Sequence, residues 1–181
     1  KKEAFKLDEL TINSGHKSEM ELMNDAGKAV AKFVLENIRG PFIQNILVIA
    51  GKGNNGGDGF VIARYLYNAG AELSVFLLGE CDELTGDVRL NCQLYQRLGG
   101  VVSEVKDSTD LPAAGQSCEL IVDGLLGTGF SGAPRGLYAV AIDRMNQMKA
   151  PIIAIDMPSG VDGDTGQTAG AAVNADRTVT F

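Results

Sequence analysis

Hydrophobic and polar positions along the chain switch between two periods. Near the start, Leu22, Met23, Ala26, Val30, Phe33 and Val34 recur at three- and four-residue steps, the spacing of one helix face. Ser18 followed by Glu21 has the form of a capping box, so the pattern predicts a helix over 18–37, ended by Gly40-Pro41. Ile46–Ala50 is a short continuous apolar run, as in a strand covered on both faces. A helical stretch over 57–68 carries Val61, Ile62, Leu66 and Tyr67 and stops at Ala69-Gly70; Leu73–Leu78 reads as a second strand. Thr85 caps a helix running to Leu98, closed by Gly99-Gly100, while Val101-Val102 is too short to assign. Leu120-Ile121-Val122 is a strand that runs through Asp123. A helix over 136–148 follows, with Val140, Met145 and Met148 as its expected buried residues. Pro151 introduces the strand Ile152–Ile155, and Val179 to Phe181 opens one more. Strands alternating with helices predict an α/β fold, a Rossmann-like three-layer sandwich around a mainly parallel central sheet. Nothing in the pattern marks a repeat or a linker, so residues 1–181 are expected to form a single domain.

Composition narrows the chemistry. The chain is 45% hydrophobic and 22% charged, the values of an ordinary globular domain. Its 23 glycines in 181 residues exceed the usual share of about 7%. Many fall in two clusters, at Gly51, Gly53, Gly56, Gly57 and Gly59, then at Gly124, Gly127, Gly129, Gly132 and Gly136. Such clusters belong where backbone bends tightly or approaches a ligand. A net charge of −7 argues against nucleic acid as a partner. No apolar run reaches membrane-spanning length and no signal-peptide core is present, so no membrane partner is expected. A cytoplasmic location is expected, or a mitochondrial one if a targeting segment has been removed. Cys81, Cys92 and Cys118 are odd in number and lack the close pairs of a zinc site; they read as reduced, partly buried thiols. The one histidine, His16, lies far along the chain from any nucleophile, which disfavours a histidine-based triad.

In sheets of this kind ligands collect outside the carboxyl ends of the strands, and three loops there carry unusual residues. The first, from Gly51 to Gly59, contains Gly51-x-Gly53-x-x-Gly56 between a strand and a helix, where backbone amides can cradle a phosphate. Asp58 sets a carboxylate near that helix start, which an ordinary pyrophosphate turn does not want; alternatively Asp58 caps the helix and Asn54-Asn55 take left-handed turn positions. The second runs from Asp123 to Gly136 and suits an anion; Arg135 would pair with a phosphate or with a surface carboxylate. Asp123 ends an apolar strand and needs a partner, either loop amides or a cation. The third runs from Asp156 to Gly166. Asp156 is a general base, a ligand orienter or a loop acceptor, and Asp162 and Asp164 read as turn residues because the later glutamate of a calcium loop is missing. Asn55, Asp123 and Ser159 together offer hard oxygen atoms from three loops, a set for a hard cation rather than zinc or copper.

Residues 51–59, 123–136 and 156–166 resemble the three signature segments of the YjeF N-terminal domain family, the NAD(P)H-hydrate epimerases. The likeness extends to Met20-Glu21-Leu22-Met23 with Ala26-Gly27, and to Asn174-Ala175-Asp176 with Thr178 to Phe181, so it covers the chain from about residue 8 onward. The resemblance implies interconversion of the R and S epimers of NADHX and NADPHX, hydrated at carbon 6 of the nicotinamide ring, feeding an S-specific dehydratase. It implies that Asn54, Asn55, Gly56, Gly57 and Asp58 form one substrate-binding loop and that Gly127, Thr128, Gly129, Phe130, Ser131, Gly132 and Ala133 form another. It implies that Asp156 is a further substrate contact, and for the proton transfer this reaction needs Asp156 is the preferred catalytic acid/base, with Asp58 the second candidate. Asn55, Asp123 and Ser159 correspond to ligands of one potassium ion per subunit, and the expected partners are a dinucleotide substrate, a dehydratase and a second copy in a homodimer. Lys52 and Met157 depart from the family's usual residues, and the chain stops before the usual final lysine-containing segment, so truncation beyond Phe181 is expected. Related domains serve as an RNA-decapping scaffold and in apolipoprotein A-I binding, which makes a non-catalytic nucleotide-binding or protein-interaction module the alternative. Intact Asn54 to Asp58 and Asp156 favour the enzyme. A conventional oxidoreductase is disfavoured by Asp58 and by the lack of a clear ribose-binding acid after Leu78, Glu80 being the only near candidate.

Overall fold

Strands that are apolar on both faces need cover on both faces, and the chain supplies it with helices on either side of one sheet. The computed structural model describes residues 18–37 and 45–180. Six strands, β1 (Ile46–Ala50), β2 (Leu73–Leu78), β3 (Val102–Val105), β4 (Leu120–Gly124), β5 (Ile152–Ile155) and β6 (Arg177–Val179), lie side by side in the order β3-β2-β1-β4-β5-β6. Every neighbouring pair is parallel. The helices are α1 (Glu19–Asn37), α2 (Asn54–Asn68), α3 (Gly86–Arg97) and α4 (Leu137–Gln147).

The period-two alternation of strand side chains divides the core between the faces. Ile46, Val48 and Ala50 of β1 pack with Met23, Val30 and Val34 of α1, Phe60, Ile62 and Leu66 of α2, and Val88 and Tyr95 of α3. Leu47 and Ile49 point the other way, into a cluster with Ile121 and with Ala141, Ile142 and Met145 of α4. β1, β4 and β5 are buried along their whole length. The three-layer α/β sandwich expected from the sequence is the observed fold.

At the start of α1 the capping box is formed: the Glu21 amide donates to Ser18 Oγ at 3.2 Å and the Ser18 amide donates to Glu21 Oε2 at 2.8 Å. Thr85 occupies the N-cap of α3 without a side-chain hydrogen bond to it. Four local expectations change. α2 begins at Asn54, a turn earlier than the pattern indicated. The unassigned Val101-Val102 leads into the edge strand β3. β6 opens at Arg177, two residues before Val179. Val140 faces solvent, because the sheet-facing stripe of α4 passes through Ala141, Ile142 and Met145 and leaves Val140 one step round the helix. His16, Gly40-Pro41 and Phe181 lie outside the described residues.

Candidate active site

β1, β4 and β5 are neighbours, and the chain turns away from them in opposite directions: α2 carries it to β2 on one side, α4 to β5 on the other. The crevice at such a reversal is where open parallel sheets bind ligands. All three loops singled out in the sequence leave from this point.

The first loop is pressed against the second. The Gly51 amide donates to Gly124 O at 3.0 Å. A Cβ at Gly51 would lie 2.1 Å from Leu125 O, and one at Gly56 would lie 1.8 Å from Gly51 O. Neither position has room for a side chain, so the glycines are required by backbone approach rather than by flexibility. Asn54 and Asn55 are the first residues of α2 and are helical, not left-handed, and Asp58 sits in the second turn rather than at the cap, which is Gly53. The physical reason is a tertiary bond: Asn55 is buried and its Nδ2 donates to Leu126 O at 3.0 Å, so its side chain is not free to compete for local backbone groups.

Asp123 is fully buried at the end of β4. Its Oδ1 accepts from Ser159 Oγ at 2.6 Å and from the Leu125 amide at 3.2 Å, and its Oδ2 accepts from the Ser159 amide at 2.8 Å. Ser159, also fully buried, in turn accepts from the Leu126 amide at 2.8 Å. The Leu126 peptide thus joins Asn55 on one side to Ser159 on the other. All three expected cation ligands meet here.

Asp156 follows β5 with φ of 63°, one of two described non-glycine residues in the left-handed region. The Met157 amide turns back to Ile155 O at 2.7 Å, closing a tight turn around it, while the Asp156 amide donates to Val179 O at 2.8 Å. A carboxylate held this way costs about 1–3 kcal/mol of backbone strain. The turn leaves Asp156 half-buried, with Oδ2 accepting from the Thr128 amide at 3.3 Å. Gly127 lies against Asn55, where a Cβ would sit 3.2 Å from the Asn55 side chain. Phe130 and Ala133 are half-buried, while Asn54, Gly129, Ser131 and Gly132 lie at the solvent edge, as does Arg135. Asp162 Oδ1 accepts from the Asp164 and Thr165 amides, each at 3.0 Å, which makes this acidic pair a turn.

A model of the YjeF-related protein N-terminus matches residues 19–181. The chain belongs to this family. Among relatives, it is 39% identical to the bifunctional NAD(P)H-hydrate repair enzyme Nnr of Moorella thermoacetica, over 99% of this chain and 34% of that protein. It is 38% identical to the NAD(P)H-hydrate epimerase of Rhodopirellula baltica, over 97% of this chain and 70% of that one. The chain therefore spans about a third of the bifunctional relative. The crystal structure of yeast ynu0 superposes with a TM-score of 0.85 at 26% identity, covering 99% of this chain and 77% of the yeast one.

In this YjeF-family chain the site's electrostatics single out one more group. Burial, and then the negative charge of Asp156, push the Asp58 carboxyl up from 3.8 to about 8. At neutral pH Asp58 therefore carries a proton beside Asp156. Burial likewise raises Asp123, to about 6, against the lowering effect of the Ser159 and Leu125 hydrogen bonds. Its three donors are neutral groups, so its charge, when present, is poorly offset. A cation with hard oxygen preference fits that donor set: one carboxylate, one carboxamide and one hydroxyl. Among the described residues no cluster of three His, Cys, Asp or Glu forms a site for a softer metal.

The YjeF-family site also has a neighbour that the sequence did not announce. A cavity of about 270 Å³ lies off the ends of β2 and β3, bordered by Lys52 of the first loop but by none of the expected substrate or cation residues. Cys81 and Cys92 face each other nearby at 3.7 Å as free thiols, Cys81 pushed up to about 12 mainly by burial. Cys118 is also free, so the reading of three reduced thiols agrees with the structure. Among the described residues no helix is long and apolar enough to cross a membrane.

Proposed function

We propose that this chain interconverts the R and S epimers of hydrated NADH and NADPH, with Asp156 and Asp58 as its acid/base pair. The observation that carries the reading is the pair itself: a proton-bearing Asp58 beside an Asp156 fixed in a strained turn, within the segment shared with relatives named NAD(P)H-hydrate epimerase. Epimerisation at carbon 6 needs the hydroxyl-bearing centre to lose and regain its configuration. In a ring-opening route, Asp156 takes the hydroxyl proton, the carbon–oxygen double bond forms, and the bond from carbon 6 to the ring nitrogen breaks. Asp58 gives its proton to that nitrogen, the aldehyde arm rotates, and the reverse steps close the ring on the other face. In a dehydration route, Asp58 protonates the leaving hydroxyl, water departs, and the nitrogen lone pair forms an iminium. Water then adds to the opposite face as Asp156 takes its proton, which passes back to Asp58 and restores the starting pair. Both routes use one donor and one acceptor, which is the arrangement these two carboxyls offer.

Asn54, Asn55, Gly56, Gly57 and Asp58, with Gly127 to Ala133, would bind the substrate. Asn55, Asp123 and Ser159 would hold one potassium ion per subunit; when bound, it supplies positive charge beside a buried carboxylate and so fixes the three loops relative to one another. Asp123's poorly offset charge supports this. Thermal midpoint and activity in potassium should exceed those in a large organic cation, and equality in both would remove the ion from the account. We further propose that the S epimer passes to a dehydratase, in keeping with the relatives named as bifunctional repair enzymes, and that the chain acts as a homodimer. The decisive experiment adds the protein to a mixed NADHX and NADPHX pool together with an S-specific dehydratase. Accelerated and complete consumption of the R epimers is expected; an unchanged slow phase would instead favour a binding module.

A further inference from the structure

We infer that the cavity beyond β2 and β3 receives the adenosine half of the dinucleotide, and that Glu80 reads the ribose 2′ position so as to favour NADHX over NADPHX. The inference rests on the substrate class proposed above. It starts from the sheet order β3-β2-β1-β4-β5-β6, in which a dinucleotide spans the reversal point with one nucleoside on each side. The Asp58 and Asp156 side lies toward β4 and β5. The β2 and β3 side then remains for the second nucleoside, with the glycine-rich loop between them.

The cavity has the size and lining for that half. Its volume of about 270 Å³ is below the ~300–1,000 Å³ of sites that enclose whole drug-sized ligands, so it suits one nucleoside rather than a dinucleotide. Leu78 and Val105 are buried and, with Tyr138, form an apolar wall for a base. Lys52, Glu80 and Lys106 form a polar rim. Lys52 belongs to the first substrate loop, so the cavity and the loop share an edge.

Charge on the rim decides the ribose preference. Glu80 stands directly after Gly79 at the carboxyl end of β2, the place of the acid that receives a ribose 2′-hydroxyl in dinucleotide folds. Its carboxylate accepts the Glu83 amide and lies 3.0 Å from Lys106 Nζ. A carboxylate has about four acceptor positions, so room remains for hydroxyl donors. Lys52 lies 3.2 Å from Glu83, and Lys106 also reaches Glu104 at 3.9 Å. Three carboxylates thus face two ammonium groups, each already paired. A neutral ribose diol can donate to Glu80, whereas a 2′-phosphate would add about −1.5 to −2 charge to an acidic rim.

The test uses unhydrated fragments, so it does not depend on epimerisation. 5′-AMP and adenosine 2′,5′-bisphosphate are titrated into isotope-labelled protein, and amide shifts are followed. Expected are saturable shifts at Gly79, Lys106 and Tyr138 with 5′-AMP, with binding of the bisphosphate at least fivefold weaker. Glu80→Gln, which keeps an acceptor for the Glu83 amide, should narrow that gap and raise KM for NADHX relative to NADPHX. Shifts confined to residues 127–133, or a bisphosphate that binds as tightly as 5′-AMP, would overturn the inference. A cavity that takes 5′-AMP in a protein without epimerase activity would overturn the substrate proposal and leave a nucleoside site. Activity with no 5′-AMP shifts at the cavity would overturn the cavity's role and leave the epimerase.

Discussion

Asp123 and Asp156 stand at the ends of adjacent buried strands, yet their surroundings have little in common. Asp123 is out of water altogether, with the Ser159 hydroxyl and two backbone amides converging on it. Asp156 is lifted by a left-handed turn into the crevice, half-buried, and its charge raises the pKa of Asp58. Where donors converge on a carboxylate it becomes an anchor for loops. Where its charge holds a neighbouring carboxyl protonated, the two offer one donor and one acceptor, and it becomes a candidate for chemistry. The contrast divides one rim into a part that holds shape and a part that moves protons.

Four substitutions press on that division. The largest effect is expected from Asp156→Asn: epimerisation should fall by about 10²–10⁴-fold with a near-normal thermal midpoint, read by chromatographic separation of the epimers. Comparable turnover in this variant would erase the contrast. Asp123→Ala should act first on stability. It leaves the Ser159 and Leu125 donors buried without an acceptor, and denaturant unfolding should show a loss of about 3 kcal/mol or more. A loss below 1 kcal/mol would mean that the anchor is not one. Gly56→Ala drives a methyl into Gly51 O and should cost about 1–3 kcal/mol while also lowering substrate affinity, measured by unfolding and by KM.

The smallest effect is a pH dependence. Because the folded protein holds Asp58 protonated up to about pH 8 while the unfolded chain releases that proton near pH 4, folding binds the proton and stability falls as pH rises between those values. Asp123 acts in the same direction only below about pH 6. The interval from pH 6 to 8 therefore isolates Asp58, and the decline there should be on the order of 1–2 kcal/mol. Asp58→Asn should flatten it. The same substitution should lower epimerase activity and leave what remains without a fall as pH rises through about 8; a variant that retains either slope would take the proton away from Asp58.

The fold was legible because its strands are unbroken apolar runs such as Ile46–Ala50 and because the capping box at Ser18 marks its own helix. The three loops were legible as glycine clusters and as acids at strand ends. What escaped depends on partners far along the chain. The early start of α2 follows from the Asn55 bond to Leu126, and the proton on Asp58 follows from burial and from Asp156. The left-handed turn at Asp156 has no glycine or asparagine to announce it. Along the sequence Glu80 is an acid two residues past Leu78, and nothing there sets it beside Lys106 and Tyr138 around a cavity.

The behaviour of a single epimer tests the proposed activity most directly. R-NADHX, purified free of its S form, is incubated with and without the protein at pH 7, and the appearance of S-NADHX is followed over time. The predicted result is an approach to the epimer equilibrium far faster than the spontaneous one, in proportion to protein concentration. An S-epimer progress curve that the protein leaves unchanged would contradict it.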